Sequence, residues 1–285
     1  MTHQAPSGMQ QAWDFRDETH VLAALVDPLD ARSITRPTLF KSWTVADIFG
    51  HLHMFDRAAT LTATDTPAFH AFISWFEAGL KAERTMLDLQ NEWLDGLSGH
   101  ALIDAWRDGA EETARVYAGL DPRARLKWAG PDMSARSCIT ARQMETWAHG
   151  QAVFDLLGVE REETDRIRNI AHLGVTTFRW TFLNRGQEPP GPPPHVRLIA
   201  PSGAVWEWNA PSEHDRRDDS QQDSRVEGTA VDFCRVVTQT RHVADTALRV
   251  TGEAAERWMA IAQCFAGPPV DPSAPGARHK AVPGE

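Results

Sequence analysis

The chain has 285 residues, of which 42% are hydrophobic and 24% are charged, the composition of a globular protein with a substantial core. A net charge of −10 and the lack of a basic stripe argue against a nucleic acid as partner. No apolar run approaches the roughly 18–20 residues that a membrane-spanning helix needs, which argues against a membrane partner.

Cysteine usage and the first residues bear on the cellular compartment. Cys138, Cys234 and Cys264 are widely separated and form no CxxC pair, so we expect buried thiols rather than nucleophiles or a disulfide framework. The opening MTHQAPSGMQQAWDF lacks the basic and then apolar pattern of a secretion signal. These features predict a cytoplasmic protein.

Apolar residues recur at helical spacing through the first half of the chain. Pro28 ends the first predicted helix, and Ser42 or Thr44 is expected to cap the second. An irregular segment, 121–138, precedes the last of these helices. Few β-branched runs interrupt the pattern, so it indicates an all-α bundle. The predicted helices span residues 9–29, 42–63, 67–97, 100–120 and 139–158.

The composition changes after Gly158. Residues 162–186 form another amphipathic pattern, and the Pro-rich connector 187–195 cannot be helical. Residues 196–210 read as two strands around a turn at residues 201–203. The elements predicted beyond them are an exposed polar loop at 212–224, a strand leading into a helix at 225–250 and a last helix at 253–266.

These patterns together predict an α+β protein with a helical N-terminal domain. The Pro/Gly-rich end of the chain is expected to be disordered. The predicted domains are a helical domain at 1–158, an α+β domain at 159–266 and a disordered tail at 267–285.

The segment ITARQMETWAHGQ contains a Glu and a His at helical spacing. Each residue of a helix turns by about 100°, so Glu145 and His149 lie on one face, one turn apart. Two such side chains can hold one metal ion if a third ligand comes from elsewhere. A surface pair with the same spacing is common, so the spacing by itself leaves both interpretations open.

The segment WTVADIFGHLHMF offers two histidines as a third ligand. His51 and His53 are about 200° apart on a helix, so they cannot both face the bundle interior. His51 lies at the edge of the apolar stripe that contains Ile48 and Leu52, which favours it slightly. Periodicity does not exclude His53.

Two motifs resemble the DinB-like family, in its branch similar to mycothiol-dependent maleylpyruvate isomerases. WTVADIFGHL matches a Trp followed after eight residues by His-Leu, and ARQMETWAHGQ matches Arg-x-x-Glu-x-x-x-His-Gly. The resemblance covers about residues 10–160 and implies a four-helix bundle followed by a smaller α+β domain. It also implies that His51, Glu145 and His149 are metal ligands and that His53 is not.

Two imidazoles and one carboxylate leave a coordination position open, as in catalytic rather than structural zinc sites. The donor set favours Zn²⁺, and it also suits Fe²⁺ or Ni²⁺. The resemblance implies a low-molecular-weight thiol as cosubstrate, a small electrophilic acid as substrate, and isomerisation or thiol transfer as the reaction. The alternatives are a metal-activated hydrolase, lyase or hydratase that uses water, and a non-catalytic protein that binds a metal or small ligand.

Other polar residues are candidates for supporting roles. Arg142 shares a helix face with Glu145, where it could orient that carboxylate or bind an anionic substrate; a solvated helix charge is the equal alternative. Asp56 is expected to be a surface charge. Trp43 and Trp147 are expected to pack in the core, with pocket lining as the alternative. His172 and His242 are further polar groups on amphipathic segments.

The resemblance also has consequences for the second domain and for the ligand helix. It implies that a basic residue of the second domain assists the reaction, and Arg241 is the candidate. Many relatives have His-Gly-x-Asp where this chain has Ala152 in the last position, so support for a ligand histidine would come from Gln151 or Asp155. The sequence leaves open whether the bundle forms a homodimer.

Overall fold

The computed structural model describes residues 8–210 and 224–281. The chain forms two compact units, Met1–Val153 and Phe154–Glu285, so the division falls inside a helix rather than after Gly158. The first unit is mainly helical and the second combines a sheet with helices, which confirms the predicted α+β class. None of the helices in the described residues has the length and apolar content needed to cross a bilayer.

The first unit is a helical bundle whose four longest helices are α1 (Gln10–Val26), α3 (Val45–Thr64), α6 (Gly99–Ala118) and α7 (Ala135–Leu157). Its other helices are α2 (Ala31–Ile34), α4 (Thr66–Lys81) and α5 (Met86–Leu94). Helix α3 packs against α6, and α6 packs against α1. Helix α7 contacts α3 through the Arg142–Asp56 ion pair and α6 through the Tyr117–Cys138 hydrogen bond.

The single long helix predicted at 67–97 is two helices, α4 and α5. Glu83 has a left-handed backbone with φ of 59°, which a continuous helix does not permit. Thr85 and Asp88 then form a capping box in which each side chain accepts a hydrogen bond from the other residue's backbone N–H. A new helix start therefore overrides the apolar periodicity.

The segment 121–138, predicted to be irregular, contains a β-hairpin. Its strands are β1 (Arg125–Trp128) and β2 (Gly130–Ser134), which pair antiparallel, and α7 begins directly after them at Ala135. The strands are short and poor in β-branched residues, so their sequence carries little β signal.

Helix α3 begins at Val45 and Thr44 is its N-cap, which settles the choice between Ser42 and Thr44. The Thr44 hydroxyl accepts from the Asp47 N–H at 3.1 Å, and the Asp47 carboxylate accepts from the Thr44 N–H at 2.8 Å. A Cβ on Gly50 would lie 2.5 Å from Nε2 of Gln90, so α5 approaches α3 closely beside His51. The cap fixes the residue at which α3 starts, and the close contact at Gly50 fixes which face of α3 packs against α5.

The second unit combines four strands with four helices among the described residues. They are α8 (Arg168–Thr176), α9 (Phe178–Leu183), β3 (His195–Ile199), β4 (Val205–Trp208), β5 (Arg225–Thr229), α10 (Ala230–Val237), β6 (Arg249–Thr251) and α11 (Glu253–Ile261). The strands form one sheet in the order β4-β3-β5-β6. The predicted hairpin is present as β3 and β4, β5 runs parallel to β3, and β6 is antiparallel to β5. Helix α10 packs against α8.

Two predicted elements of this unit are divided. The helix expected at 162–186 is interrupted at Thr177, between α8 and α9, and the helix expected within 225–250 ends at Val237. The chain after Val237 then supplies β6, which pairs with β5. The polar loop expected at 212–224 lies outside the described residues apart from Ser224.

The tail predicted to be disordered is ordered in its described part, residues 267–281. Arg278 is 8% exposed and donates to the backbone oxygen of Gln239 at 2.7 Å. The Gln239 amide donates to the Val270 oxygen at 2.8 Å, and the Ala281 N–H donates to the Asp155 oxygen at 2.8 Å. The Pro-rich composition of the segment excludes regular secondary structure. These hydrogen bonds nevertheless hold the segment against the rest of the second unit.

Deletion of residues 267–285 is expected to destabilise the protein by at least about 2 kcal/mol, because buried groups such as Gln239 lose their hydrogen-bond partners. Urea unfolding followed by tryptophan fluorescence measures the loss. Deletion of residues 282–285 alone is the control and should leave the midpoint unchanged. Equal midpoints for the two deletions would support a disordered tail.

Candidate metal centre

Glu145 and His149 lie one turn apart on α7, as the sequence predicted. Oε2 of Glu145 is 3.1 Å from Nε2 of His149. The helix geometry explains this proximity, since side chains four residues apart stand one above the other. The two potential ligand atoms therefore converge through local structure alone.

Helix α3 brings His51 to the same point. Nε2 of His51 is 3.8 Å from Oε2 of Glu145, and one potential ligand atom from each of the three residues lies within 4.8 Å of the others. Two imidazole nitrogens and a carboxylate oxygen are a donor set that Zn²⁺, Fe²⁺ and Ni²⁺ accept. The arrangement of these side chains therefore fits a divalent metal ion.

His53 lies apart from this cluster. Its ring is 5.3 Å from the Trp93 ring, and it borders a groove of about 550 Å³ that Arg57 and Glu112 also line. The angle of about 200° between His51 and His53 on α3 explains why the two side chains leave the helix in different directions.

The charge states of the cluster suit metal binding. Burial lowers the pKa of the His51 imidazole to about 4, against the opposing effect of the Glu145 carboxylate. Burial acts to raise the pKa of Glu145, but the adjacent imidazoles of His149 and His51 and the charge of Arg142 outweigh it and hold that pKa well below its ordinary value. A neutral His51 and an ionised Glu145 are the forms that bind a metal ion.

Aromatic rings surround the two imidazoles. The Trp43 ring lies 5.4 Å from His51 and 6.0 Å from His149, parallel to the latter within 5°. Phe40 contacts His149 at 5.0 Å, and Phe55 contacts His51 at 4.8 Å. Trp43 therefore packs in the core and lines the cluster at the same time. These rings restrict imidazole rotation and keep water away from one side of the cluster.

The loop before α3 presents two of these rings. Lys41 and Ser42 both have left-handed backbones, with φ of 52° and 57°, and the Thr38 N–H donates to the Trp43 oxygen at 2.7 Å. The tight reversal turns Phe40 and Trp43 towards His149. No periodic pattern marks such a loop, which is why the sequence did not identify Phe40. Trp147, by contrast, is fully buried core.

Asp56 is buried, and its prediction as a surface charge is wrong. Its side chain is inaccessible to solvent, and Oδ1 accepts from Nε of Arg142 at 2.8 Å. Oδ2 accepts from Nε1 of Trp106 at 3.1 Å. Asp56 follows Leu52 by one turn on the buried stripe of α3. This position in the sequence could have identified Asp56 as a buried residue.

Arg142 is buried beside Glu145 on α7. Its residue is 3% exposed, and Nη2 has no hydrogen-bond partner among the residues that the structure describes. Burial opposes its positive charge, but Asp56 and then Glu145 hold the pKa of Arg142 above its ordinary value. A cationic guanidinium thus stands close enough to Glu145 to favour the ionised carboxylate.

Within the second unit, Arg241 binds Asp155 in a bidentate ion pair. Nη2 donates to Oδ1 at 2.6 Å and Nη1 donates to Oδ2 at 2.8 Å. The carboxylate of Asp155 is therefore engaged by Arg241. His172 accepts from Nε1 of Trp208 at 3.2 Å, and His242 caps a short turn by accepting from the Ala244 N–H. Their observed contacts give these two histidines structural roles.

The three cysteines are free and buried. Burial raises the pKa of the Cys138 thiol to about 11 and that of Cys234 well above its ordinary value. Only the thiolate is an effective nucleophile, so these side chains are poorly reactive near pH 7.

The folded protein is expected to release almost no chromophore from a disulfide reagent such as DTNB within minutes at pH 7, because its thiols are buried. Unfolding in guanidinium should expose all three. One thiol that reacts rapidly in the folded protein would show that a cysteine of the chain is available as a nucleophile.

Comparison of the sequence with known proteins supports the family that the two motifs predicted. A family model described as the mycothiol maleylpyruvate isomerase N-terminal domain matches residues 15–154. Two proteins of Mycobacterium tuberculosis, uncharacterized protein MT0041 of strain CDC 1551 / Oshkosh and uncharacterized protein Rv0036c of strain ATCC 25618 / H37Rv, are each 40% identical over 256 residues, which is 90% of this chain and 95% of theirs.

A crystal structure of the mycothiol-dependent maleylpyruvate isomerase superposes with a TM-score of 0.51. It covers 86% of this chain and 95% of that one, at 15% sequence identity, so it supports the fold. Residues 15–154 therefore belong to the family of the mycothiol maleylpyruvate isomerase N-terminal domain, the branch of the DinB-like family that the two motifs predicted.

Proposed function

We propose that this protein is a metal-dependent enzyme in which a low-molecular-weight thiol, mycothiol, reacts with a small electrophilic acid. The observation that carries the proposal is the convergence of His51, Glu145 and His149 within 4.8 Å. The family supports the choice of thiol and of an acid resembling maleylpyruvate, since both appear in the names of its matching members.

His51, Glu145 and His149 would hold a divalent metal, with zinc as the first choice. A metal held there supplies a Lewis acid and favours the ionised form of a thiol near pH 7. The three side chains leave room for an exogenous ligand, as catalytic sites require. Glu145 brings one negative charge and the two histidines bring none, so a +1 charge remains to attract an anion.

The reaction that fits an external thiol is addition followed by elimination. The sulfur forms a bond to one carbon of a double bond conjugated to a carbonyl, and the displaced electron pair moves to the carbonyl oxygen. Rotation about the resulting single bond is followed by return of the electron pair, cleavage of the carbon–sulfur bond and release of the thiol. The thiol is regenerated, and no oxidant or reductant is consumed.

Residues of the chain would support this chemistry in distinct ways. Phe40, Trp43 and Phe55 keep the imidazoles in place and exclude water from one side of the cluster. The chain's cysteines are buried, which favours an external thiol as the nucleophile. Arg241 is the proposed cation for the substrate carboxylate, and substrate would then compete with Asp155 for its guanidinium.

Purified protein is expected to contain about one divalent metal ion per chain, and His51→Ala and His149→Ala should each weaken metal binding at least about 100-fold, because each removes a ligand. Elemental analysis and competition with a chelating dye measure this. His53→Ala is the matched control, since His53 is on the same helix but contacts Trp93.

Metal content that is unchanged in His51→Ala and His149→Ala would overturn the proposed site. Loss of metal in His53→Ala to the same extent would show that the variants perturb α3 rather than the ligand set. Circular dichroism of each metal-free variant separates these two results.

The metal-loaded protein is expected to isomerise maleylpyruvate in the presence of mycothiol faster than mycothiol alone, and His51→Ala should abolish the difference. The absorbance change of the substrate follows the rate. Arg241→Gln should raise KM about tenfold through loss of a charge-assisted contact, with metal content unchanged. Arg235→Gln, also in the second unit, is its control.

Several results of this assay would contradict the proposal. A rate that does not exceed that of free mycothiol removes the thiol-dependent reaction. A reaction that proceeds equally without thiol and adds water to the substrate identifies a hydratase or hydrolase instead. A KM for Arg241→Gln equal to that of Arg235→Gln removes Arg241 from substrate binding.

A further inference from the structure

A buried ion pair links the two helices that carry the metal-ligand candidates. Asp56 lies beyond His51 on α3, and Arg142 lies one turn before Glu145 on α7. The Arg142 Nε donates to Oδ1 of Asp56 at 2.8 Å, and the two residues are 3% and 0% exposed. The pair therefore spans from one ligand helix to the other in the interior of the first unit.

The same carboxylate is tied to a third helix. Its Oδ2 accepts from Nε1 of Trp106, on α6, at 3.1 Å. The backbone oxygen of Asp56 accepts from the hydroxyls of Thr60 and Thr113 at 3.3 Å each. The position of Asp56 is thus determined by α3, α6 and α7 together.

Stability does not explain why two charges are buried here. Transferring two charges from water to a protein interior has a large free-energy cost, which their mutual attraction often fails to offset. Apolar side chains of similar volume in the same place often give equal or greater stability, so a buried ion pair is weak evidence of stabilisation. Buried pairs of this kind are best attested where they specify one arrangement of neighbouring helices.

The second ring nitrogen of His51, Nδ1, does not fix the orientation of the imidazole. This atom is buried and has no hydrogen-bond partner among the residues that the structure describes. Metal-ligating histidines usually donate their second ring N–H to a carboxylate, a carbonyl or water, which fixes their orientation. With no such partner for His51, the placement of its Nε2 depends on ring packing and on the position of α3 relative to α7.

We propose that Asp56 and Arg142 are positioning residues that set the separation between His51 on α3 and Glu145 on α7, and thereby the affinity of the site for a divalent metal. The inference rests on the proposed function for its metal, but the separation itself is a property of the metal-free chain. Arg142 acts here through Asp56 and Glu145 rather than on substrate, because its guanidinium is closed off from solvent.

The test is the double variant Asp56→Leu/Arg142→Met, which replaces the pair by apolar side chains of similar size. We expect the apolar replacement to offset most of the lost ion pair, so that the metal-free unfolding midpoint falls only through the unpaired Nε1 of Trp106, while the Kd for Zn²⁺ rises 10- to 100-fold. Chelator competition measures Kd, and urea unfolding measures the midpoint. The near-isosteric Asp56→Asn, expected to raise Kd in the same direction, serves if the double variant does not fold.

The matched control is Arg57→Met/Glu112→Leu. This ion pair joins α3 to α6, with 3.4 Å between Nη1 of Arg57 and Oε2 of Glu112, and both of its side chains are exposed. The control should leave both Kd and the midpoint unchanged. A folded Asp56→Leu/Arg142→Met protein with the Kd of the control would overturn the proposal.

A metal-free measurement separates this inference from the proposed function. In crystal structures of the metal-free proteins, the distance from His51 Nε2 to Glu145 Oε2, 3.8 Å here, should change by about 1 Å or more in the double variant and remain in the control. If the unchanged protein binds no metal, the proposed function fails, and this distance still decides whether the pair positions the cluster. An unchanged distance in the folded double variant overturns the inference.

Discussion

The buried carboxylate of Asp56 is the interaction on which the arrangement of the first unit depends. It accepts hydrogen bonds from Arg142 on α7 and Trp106 on α6 while its own backbone belongs to α3. Three helices of the bundle therefore share one polar anchor, and its two charged side chains are almost completely buried. An anchor of this kind is directional, whereas apolar packing tolerates small shifts of one helix along another.

The cluster of His51, Glu145 and His149 lies on the helices that this anchor joins. Burial keeps His51 neutral, the two imidazoles keep Glu145 ionised, and aromatic rings limit how the imidazoles turn. These effects act in the same direction, since a metal ion requires deprotonated ligands held at a fixed separation. The cluster therefore needs little reorganisation to bind an ion.

The second unit is organised by a different set of polar contacts. Arg241 holds both oxygens of Asp155, and the C-terminal segment adds Arg278 and a backbone bond from Ala281. A segment with little apolar surface is thus held by hydrogen bonds to the rest of the second unit. The same contacts define the surroundings of Arg241, the proposed substrate cation.

The local sequence by itself determined where most helices of the first unit lie and that Glu145 stands beside His149, because both follow from the period of 3.6 residues. It left the cap of α3 open between Ser42 and Thr44, and it missed the new helix start at Thr85. The family resemblance added His51. Only the tertiary structure decided which face of α3 is directed towards α7. It also decided that Asp56 is buried against Arg142 and that Phe40 faces His149. Those contacts join residues far apart in the chain, and no local periodicity encodes the relative position of two helices. The order of the C-terminal segment could not be predicted for the same reason. Its hydrogen-bond partners, such as Gln239, lie outside the segment whose composition predicted disorder.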